Sequence, residues 1–372
     1  MILFCIIIGL IILHYAYLLS SLSNKIPTLI SSPNLQDGKQ HGISIIIPFR
    51  NEALRMEDAI KSLQKLNYSP NCYEIIFVND HSSDNFSALV EKHEDNDIIR
   101  WIDNDGKGKK SAVESGISRA NFDWILSSDA DCIFDPAWLE SANYLINNSA
   151  SDLFVLPVYT PYRKGLLNKF QYYDSLSTLG FNIGYYSKTG KVLLASAANL
   201  LYKRRDFIEL DPYSNNKEIH SGDDIFILKK FKEAHRRIEV SFLRGTWVIT
   251  KANSSWIDLI DQRVRWVKKM GSLKKDEAIN FGLYIFIIQL ALLLSLLSIF
   301  YHISFVLLFI IFLITKTYYD FKLMRGISHY RAIRVKFIDV FFLEFIYMLF
   351  VPLLLIVSIF RKPIWKGRKI IR

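Results

Sequence analysis

Uncharged apolar residues crowd the two ends of this 372-residue chain, and that distribution constrains its fold more than any single motif. Residues 2–19 (ILFCIIIGLIILHYAYLL) carry no Asp, Glu, Lys or Arg and approach the ~20 residues a helix needs to cross a bilayer core. They lack a basic n-region and an A-x-A cleavage pattern, so the expectation is an uncleaved anchor over 1–20 rather than a removed signal peptide. Residues 281–299 (FGLYIFIIQLALLLSLLSI) form a second candidate span and 303–315 (ISFVLLFIIFLIT) a short third, giving a membrane hairpin over 280–316. Residues 338–360 are apolar but contain Glu344 and Pro352. The expectation there is a re-entrant or transmembrane segment, broken near Pro352, with Glu344 buried in protein or facing water.

The formal charge of +10 invites a nucleic-acid reading. Much of that excess, however, lies beside the C-terminal apolar blocks. Lys316, Lys322, Arg325, Arg331, Arg334 and Lys336 mark a basic loop over 317–337, and Arg361, Lys362, Lys366, Arg368, Lys369 and Arg372 a basic tail over 361–372. Basic clusters next to spans mark the cytoplasmic side and contact anionic lipid. The expected partners therefore include a membrane and exclude nucleic acid. Three widely spaced cysteines (Cys5, Cys72, Cys132) show neither metal-ligand spacing nor a disulfide framework, which fits a reducing compartment.

Between the apolar ends, after a Ser-, Asn- and Pro-bearing linker over 21–41, the pattern is that of an α/β domain over 42–253. Residues 43–47 (ISIII), 74–78 (EIIFV), 98–102 and 124–126 read as short buried strands. Helical spacing follows at 52–66, 86–93 and 110–119. Such alternation predicts a mostly parallel sheet buried on both faces, whose ligands bind beyond the C-terminal ends of its strands. The loops at 48–52, 79–84 and 127–131 should then share one rim.

Polar residues on that rim carry the chemistry. Asp129-Ala-Asp131 places two carboxylates after a buried strand, an arrangement suited to Mg2+ or Mn2+ bound together with phosphate oxygens, although a D-x-D alone is ordinarily a solvated turn. Asn79-Asp80 offers a second acidic position able to accept hydrogen bonds from a base or ribose. Lys107-Gly-Lys109-Lys110 opens a helix whose N-terminus and ammonium groups suit phosphate. In Gly222-Asp223-Asp224 one carboxylate can act as an N-cap; the other is a candidate general base. Residues 254–275 have the makings of an amphipathic helix resting at a bilayer surface, with Trp256, Ile257, Leu259, Ile260, Val264, Trp266 and Val267 set among charged residues.

In order, the chain shows IIIPFRNE, VNDHSSD, GKGKKSAVESGI, DAD, ASAANLLYKRRDF, SGDD and QRVRW. Over about residues 42–270 this resembles glycosyltransferase family 2, in particular the membrane-bound branch that includes cellulose, chitin and hyaluronan synthases and ceramide glucosyltransferases. The resemblance implies a GT-A fold, with one N-terminal and two or more C-terminal membrane segments. It further implies nucleoside contact by Asp80, donor contact by Lys109, diphosphate and metal at Asp129 and Asp131, and a general base at Asp224 with Asp223 beside it on the acceptor side. Gln262, Arg265 and Trp266 match Q-x-x-R-W, which binds the diphosphate and lines the acceptor end, and Asn199 falls in an acceptor-side segment where Ala197-Ala198 replaces the usual Gly. His81 stands where Gly is commoner.

The implied reaction is inverting transfer from a nucleotide-diphosphate sugar, a UDP-sugar in most of the branch, to a lipid or lipid-linked acceptor at the inner face of the cell membrane, the catalytic domain being cytoplasmic. The alternative is a processive polysaccharide synthase. A non-enzymatic scaffold that only binds nucleotide-sugar is disfavoured because both the D-x-D and the base are in place.

Overall fold

The computed structural model describes residues 2–27, 38–93, 95–216, 222–271, 277–330, 333–361, 364–365 and 368–369. Outside the described residues lie 28–37 of the expected linker, Ser221 of the SGDD motif, 272–276 of the expected interface segment, Arg331 of the basic loop and most of the basic tail. The chain forms two compact units, one of Leu29–Pro161, Leu194–Ala252 and Ile364–Arg372, the other of Met1–Thr28, Tyr162–Leu193 and Asn253–Pro363.

The first unit is built on a seven-stranded sheet in the order β3-β2-β1-β4-β8-β6-β9. Its strands are β1 (Ile43–Phe49), β2 (Tyr73–Asn79), β3 (Ile99–Asp103), β4 (Trp124–Ser127), β6 (Leu153–Val155), β8 (Leu200–Lys203) and β9 (Ile238–Val240). Every strand runs the same way except β8, which pairs antiparallel with β4 and β6. A three-stranded sheet adds β5 (Cys132–Ile133), β7 (Val158–Tyr159) and β10 (Val248–Thr250); β11 (Ile364–Trp365) and β12 (Arg368–Lys369) pair with each other. Helices α2 (Ala53–Leu63), α3 (Ser87–Lys92), α4 (Lys109–Ser118), α5 (Trp138–Asn148), α7 (Arg204–Leu210) and α8 (Asp223–Glu233) complete the unit.

The apolar runs at β1 and β2 become central strands buried along their whole length. β1 does not end at Pro48, as the sequence suggests, but continues to Phe49. The reason is directional. Ile46 O accepts from Ser128 N and Phe49 O from Asp80 N, so Pro48 faces the β4 side, where the ladder has already stopped at Ile46–Ser127. No partner there asks for the missing N–H. Of the strands that pattern reading does not find, β5 to β7, β9 and β10 are two or three residues long and β8 is four, too short to show a period.

The second unit contains α1 (Ile2–Ser23), α6 (Leu166–Thr189), α9 (Trp256–Gly271), α10 (Glu277–Leu297), α11 (Phe305–Ile327) and α12 (Phe337–Phe360). Among the described residues, three segments are long and apolar enough to cross a membrane: Ile2–Ser23, Glu277–Phe300 and Phe337–Phe360. Each exposes large apolar side chains, such as Leu10, Leu13, Leu283, Leu294, Leu349 and Leu353, a surface suited to lipid rather than water.

Two expectations are corrected in this unit. The short span at 303–315 is the apolar half of a 23-residue helix that runs on through Lys316, Asp320 and Lys322, so much of the expected basic loop is helical. The helix outlasts the apolar run because its next polar residues are buried and paired rather than solvated. Nor does the chain break at Pro352, since α12 is a single helix with that proline inside. A proline removes one main-chain bond from a helix, which packing within the membrane tolerates. Glu344 is buried in protein, within 2.6 Å of the Lys316 ammonium, and Lys316 is also 2.6 Å from Asp320. Tyr15 of α1 donates its hydroxyl to Asp320.

Residues 162–193, which the sequence places in the α/β domain, group with the membrane helices instead.

Candidate active site

The register of the sheet unit sets β1, β2, β3 and β4 side by side, with Phe49, Asn79 and Asp103 level at their C-terminal ends. The segments that follow these strands therefore share one rim, and β8, running the other way, starts from the same side at Leu200, paired with Ser127.

At the β2 end, Asp80 is buried and its Oδ1 accepts from Gly108 N (2.8 Å) and Asn104 Nδ2 (2.9 Å). The carboxylate thus fixes the loop between β3 and α4. Gly108, at φ 91°, takes a conformation that a side chain disfavours, and this lets its N–H turn toward Asp80. Asn104 is the hub of the loop. Its Oδ1 accepts from Gly106 N, Ser111 Oγ and Ser115 Oγ. Sequence reasoning passed over Asn104, although Asn-Asp-Gly after a strand is a turn signature. His81 adopts the left-handed conformation (φ 54°) that explains why Gly is commoner there, and its Nε2 lies 2.8 Å from Gly106 O. Arg50 closes the same corner by donating to the carbonyls of Asp80 (2.8 Å) and His81 (2.7 Å).

Lys109, the first residue of α4, joins the two acidic motifs. Its Nζ lies 2.6 Å from Asp129 Oδ1 and 2.9 Å from Asp223 Oδ2. Burial works against the charge of this ammonium, but the carboxylates of Asp129 and then Asp223 outweigh it and hold the pKa above the ordinary lysine range. Asp223 and Asp224 occupy the first turn of α8, where acids favour the helix dipole. The N-cap is Gly222 (φ 95°) rather than either Asp, so the expected capping role falls away. Asp223 belongs to the Lys109 bridge, and Asp224 Oδ1 accepts from Ile225 N at 2.7 Å. Asp131 follows on the D-x-D turn, half-buried, before Cys132, whose thiol is pushed up by burial and by the nearby Asp131 and Asp129 charges.

Asp129 and Asp131 offer oxygen ligands only. Among the described residues, no group of three or more His, Cys, Asp or Glu side chains gathers to hold a metal ion. One or two carboxylates, with the remaining positions left to phosphate and water, is the set a Mg2+- or Mn2+-sized cation takes on a nucleotide substrate, so these residues fit such an ion.

Asn199 lies inside the sheet unit. It is fully buried; its Oδ1 accepts from Trp138 Nε1 (3.1 Å), and its Nδ2 donates to the carbonyls of Pro157 (2.9 Å) and Thr246 (2.7 Å). These three bonds make it an internal clamp. Asn199→Ala should therefore cost about 1–3 kcal/mol of stability by leaving buried groups unpaired, seen as a lower unfolding midpoint. A loss of acceptor discrimination at unchanged stability would contradict this.

Gln262, Arg265 and Trp266 lie on α9, in the other unit. Gln262 Oε1 accepts from Asn253 Nδ2 at 3.0 Å, and Asn253 is tied to Gln171 of α6. Burial lowers the Arg265 pKa, with Asp261 opposing, and a guanidinium so shifted still stays charged. Trp266 is 44% exposed, and the Arg263 guanidinium lies over its ring at 3.9 Å while pairing with Asp174. Arg263, the unassigned position of the motif, thus props the tryptophan.

The sequence model of glycosyl transferase family 2 matches residues 44–211, a stretch that contains Asp80, Lys109, Asp129, Asp131 and Asn199 and ends before Asp223. The chain is similar to the poly-beta-1,6-N-acetyl-D-glucosamine synthase of Staphylococcus aureus, with 26% identity over 246 residues, 65% of this chain and 57% of the relative. A synthase of the same name from Staphylococcus epidermidis is 32% identical over 95 residues, 25% of this chain and 23% of that one. The chain thus spans little more than half the length of the S. aureus relative. Its fold is similar to that of a mannosyltransferase from Pyrobaculum calidifontis solved in complex with GDP-Man and Mn2+, at a TM-score of 0.57 and 11% identity over 96% of this chain and 98% of that chain. The sheet is that of a GT-A domain.

Proposed function

We propose that this chain, whose residues 44–211 match the sequence model of glycosyl transferase family 2, transfers a sugar, with inversion, from a UDP-sugar to a hydroxyl of a lipid or lipid-linked acceptor at the inner face of the cell membrane. The observation that carries this reading is the bridge from Asp129 through Lys109 to Asp223, which brings the D-x-D and the Asp-Asp pair to one place on the rim. The basic segments beside the apolar helices support a cytoplasmic sheet unit.

Asp224 takes the proton of the acceptor hydroxyl as its oxygen bonds to the sugar C1 and the bond from C1 to the diphosphate breaks. Asp223 stands beside it and holds the Lys109 ammonium. The Lys109 ammonium stands beside Asp129, ready to exchange a carboxylate oxygen for a phosphate oxygen when donor binds. By the resemblance, Gln262 and Arg265 are assigned to the diphosphate and Trp266 to an acceptor sugar. Asp80 shapes the nucleoside end of the rim through the loop it fixes. A Mg2+ or Mn2+ held by Asp129 and Asp131 would offset the charge of the leaving diphosphate.

A second reading, processive synthesis of a polysaccharide, draws on the relatives from S. aureus and S. epidermidis, whose names are those of polymer synthases. The two part at the product. Membranes carrying the full chain are incubated with labelled UDP-N-acetylglucosamine, and with a panel of other labelled nucleotide-sugars, in the presence of Mg2+ or Mn2+. One sugar on an organic-extractable product supports the first reading, and a ladder of lengths supports the second. Absence of transfer from every donor overturns both.

A further inference from the structure

Two lysines stand side by side at the start of α4, and the first bridges Asp129 and Asp223. Lys110 has other partners. Its Nζ donates to the main-chain carbonyl of Asn216 at 2.7 Å and to the side-chain Oδ1 of the same residue. It also lies 4.2 Å from the centre of the Phe226 ring in α8 and 5.7 Å from that of Tyr213. Tyr213 in turn donates its hydroxyl to the Asp223 carbonyl at 3.3 Å. One buried ammonium therefore binds α4, the turn after α7 and the first turns of α8.

A buried charge is costly where an apolar residue would fill the space. Here burial pushes the Lys110 pKa down to about 8, against the opposing charges of Asp223 and Glu114. A methionine would escape that cost, but it could neither bond Asn216 twice nor offer a cation to the Phe226 ring. The retained charge is explained if the position of α8 matters more than the stability lost.

We propose that Lys110 is a positioning residue for proton transfer: it locks the first turns of α8 onto α4, so that Asp224 keeps its place relative to Lys109 and Asp129. This rests on the reading of Asp224 as the base. A misplacement of about 1 Å is enough to cost about 10²-fold in rate.

The test uses the full chain in membranes with labelled UDP-N-acetylglucosamine. Lys110→Met should lower kcat about 10²-fold with donor KM within about twofold and the unfolding midpoint retained. Lys110→Arg, which keeps the charge and reaches both Asn216 acceptors, should recover most of the loss. Phe226→Leu, which keeps the lysine, should lose about tenfold, so the inference survives if the methionine variant does not fold. The wild-type rate should fall above about pH 8 as the ammonium, faced by Asp223 from α8, Glu114 from α4 and Tyr213, gives up its proton. In Lys110→Arg that limb should move to higher pH. In an Asp224→Asn background, Lys110→Met should add no further loss. Wild-type kcat in Lys110→Met, or a full additional 10²-fold on top of Asp224→Asn, overturns the inference on Lys110 alone. Wild-type turnover in Asp224→Asn overturns the base assignment instead.

Discussion

Asp224→Asn should lower sugar transfer by about 10²–10⁴-fold and leave donor affinity within about twofold. The substitution keeps shape and one acceptor oxygen. Asn can still receive the Ile225 N–H that Asp224 Oδ1 receives, so the start of α8 is undisturbed. What disappears is the basicity. Donor contact is assigned to Lys109, which bridges Asp129 and Asp223, to Asp129 itself and to the arginine of Q-x-x-R-W. Labelled-donor turnover beside donor titration separates the two effects. Unchanged turnover would remove Asp224 from the mechanism, and an equal loss in affinity would make it a donor ligand. Asp223→Asn should behave differently, because it frees Lys109 from one carboxylate and so disturbs the donor end first.

Lys316→Met should destabilise the membrane-helix unit by about 3–5 kcal/mol, the range for removing one partner of a buried ion pair. Lys316 lies between Asp320 and Glu344, all three nearly inaccessible, and Tyr15 is bonded to Asp320, so α1, α11 and α12 meet in one polar cluster. Without the ammonium, two carboxylates face each other in a low-dielectric interior. The effect is read as a lower unfolding midpoint of the full chain in detergent. Combining Lys316→Met with Asp320→Leu and Glu344→Leu should recover most of the loss, since an apolar cluster of similar volume replaces a buried ionic one at little cost. If Lys316→Met unfolds with the wild-type midpoint, the cluster does not hold these helices together.

Residues whose roles are local were legible from the chain. β1 and β2 announce themselves because both faces are buried and the apolar run is uninterrupted. The acids at 80, 129 and 131 stand out because charge directly after a buried strand needs a reason. Glu344 was conspicuous too, as a carboxylate inside an apolar stretch, yet nothing within a helical turn or two of it names Lys316, which lies on another helix. The partners of Asn199 were hidden for the same cause. Its place after an alanine pair resembles an acceptor segment, whereas its three partners come from residues 138, 157 and 246. Nor does Lys-Lys in a sequence say which ammonium meets Asp129 and which meets Asn216.

By itself, then, the order of residues determined which segments leave water, that a largely parallel sheet forms, and which acids stand at its strand ends. These follow from hydrophobic period and from the alternation of strand and helix, both of which are written in neighbouring positions. Only the tertiary structure decided the partners of each buried polar group: Lys109 between Asp129 and Asp223, Lys110 on Asn216, Lys316 on Glu344, and residues 162–193 among the membrane helices. A buried charge must find its counterpart across the fold, and that pairing depends on how elements far apart in sequence pack.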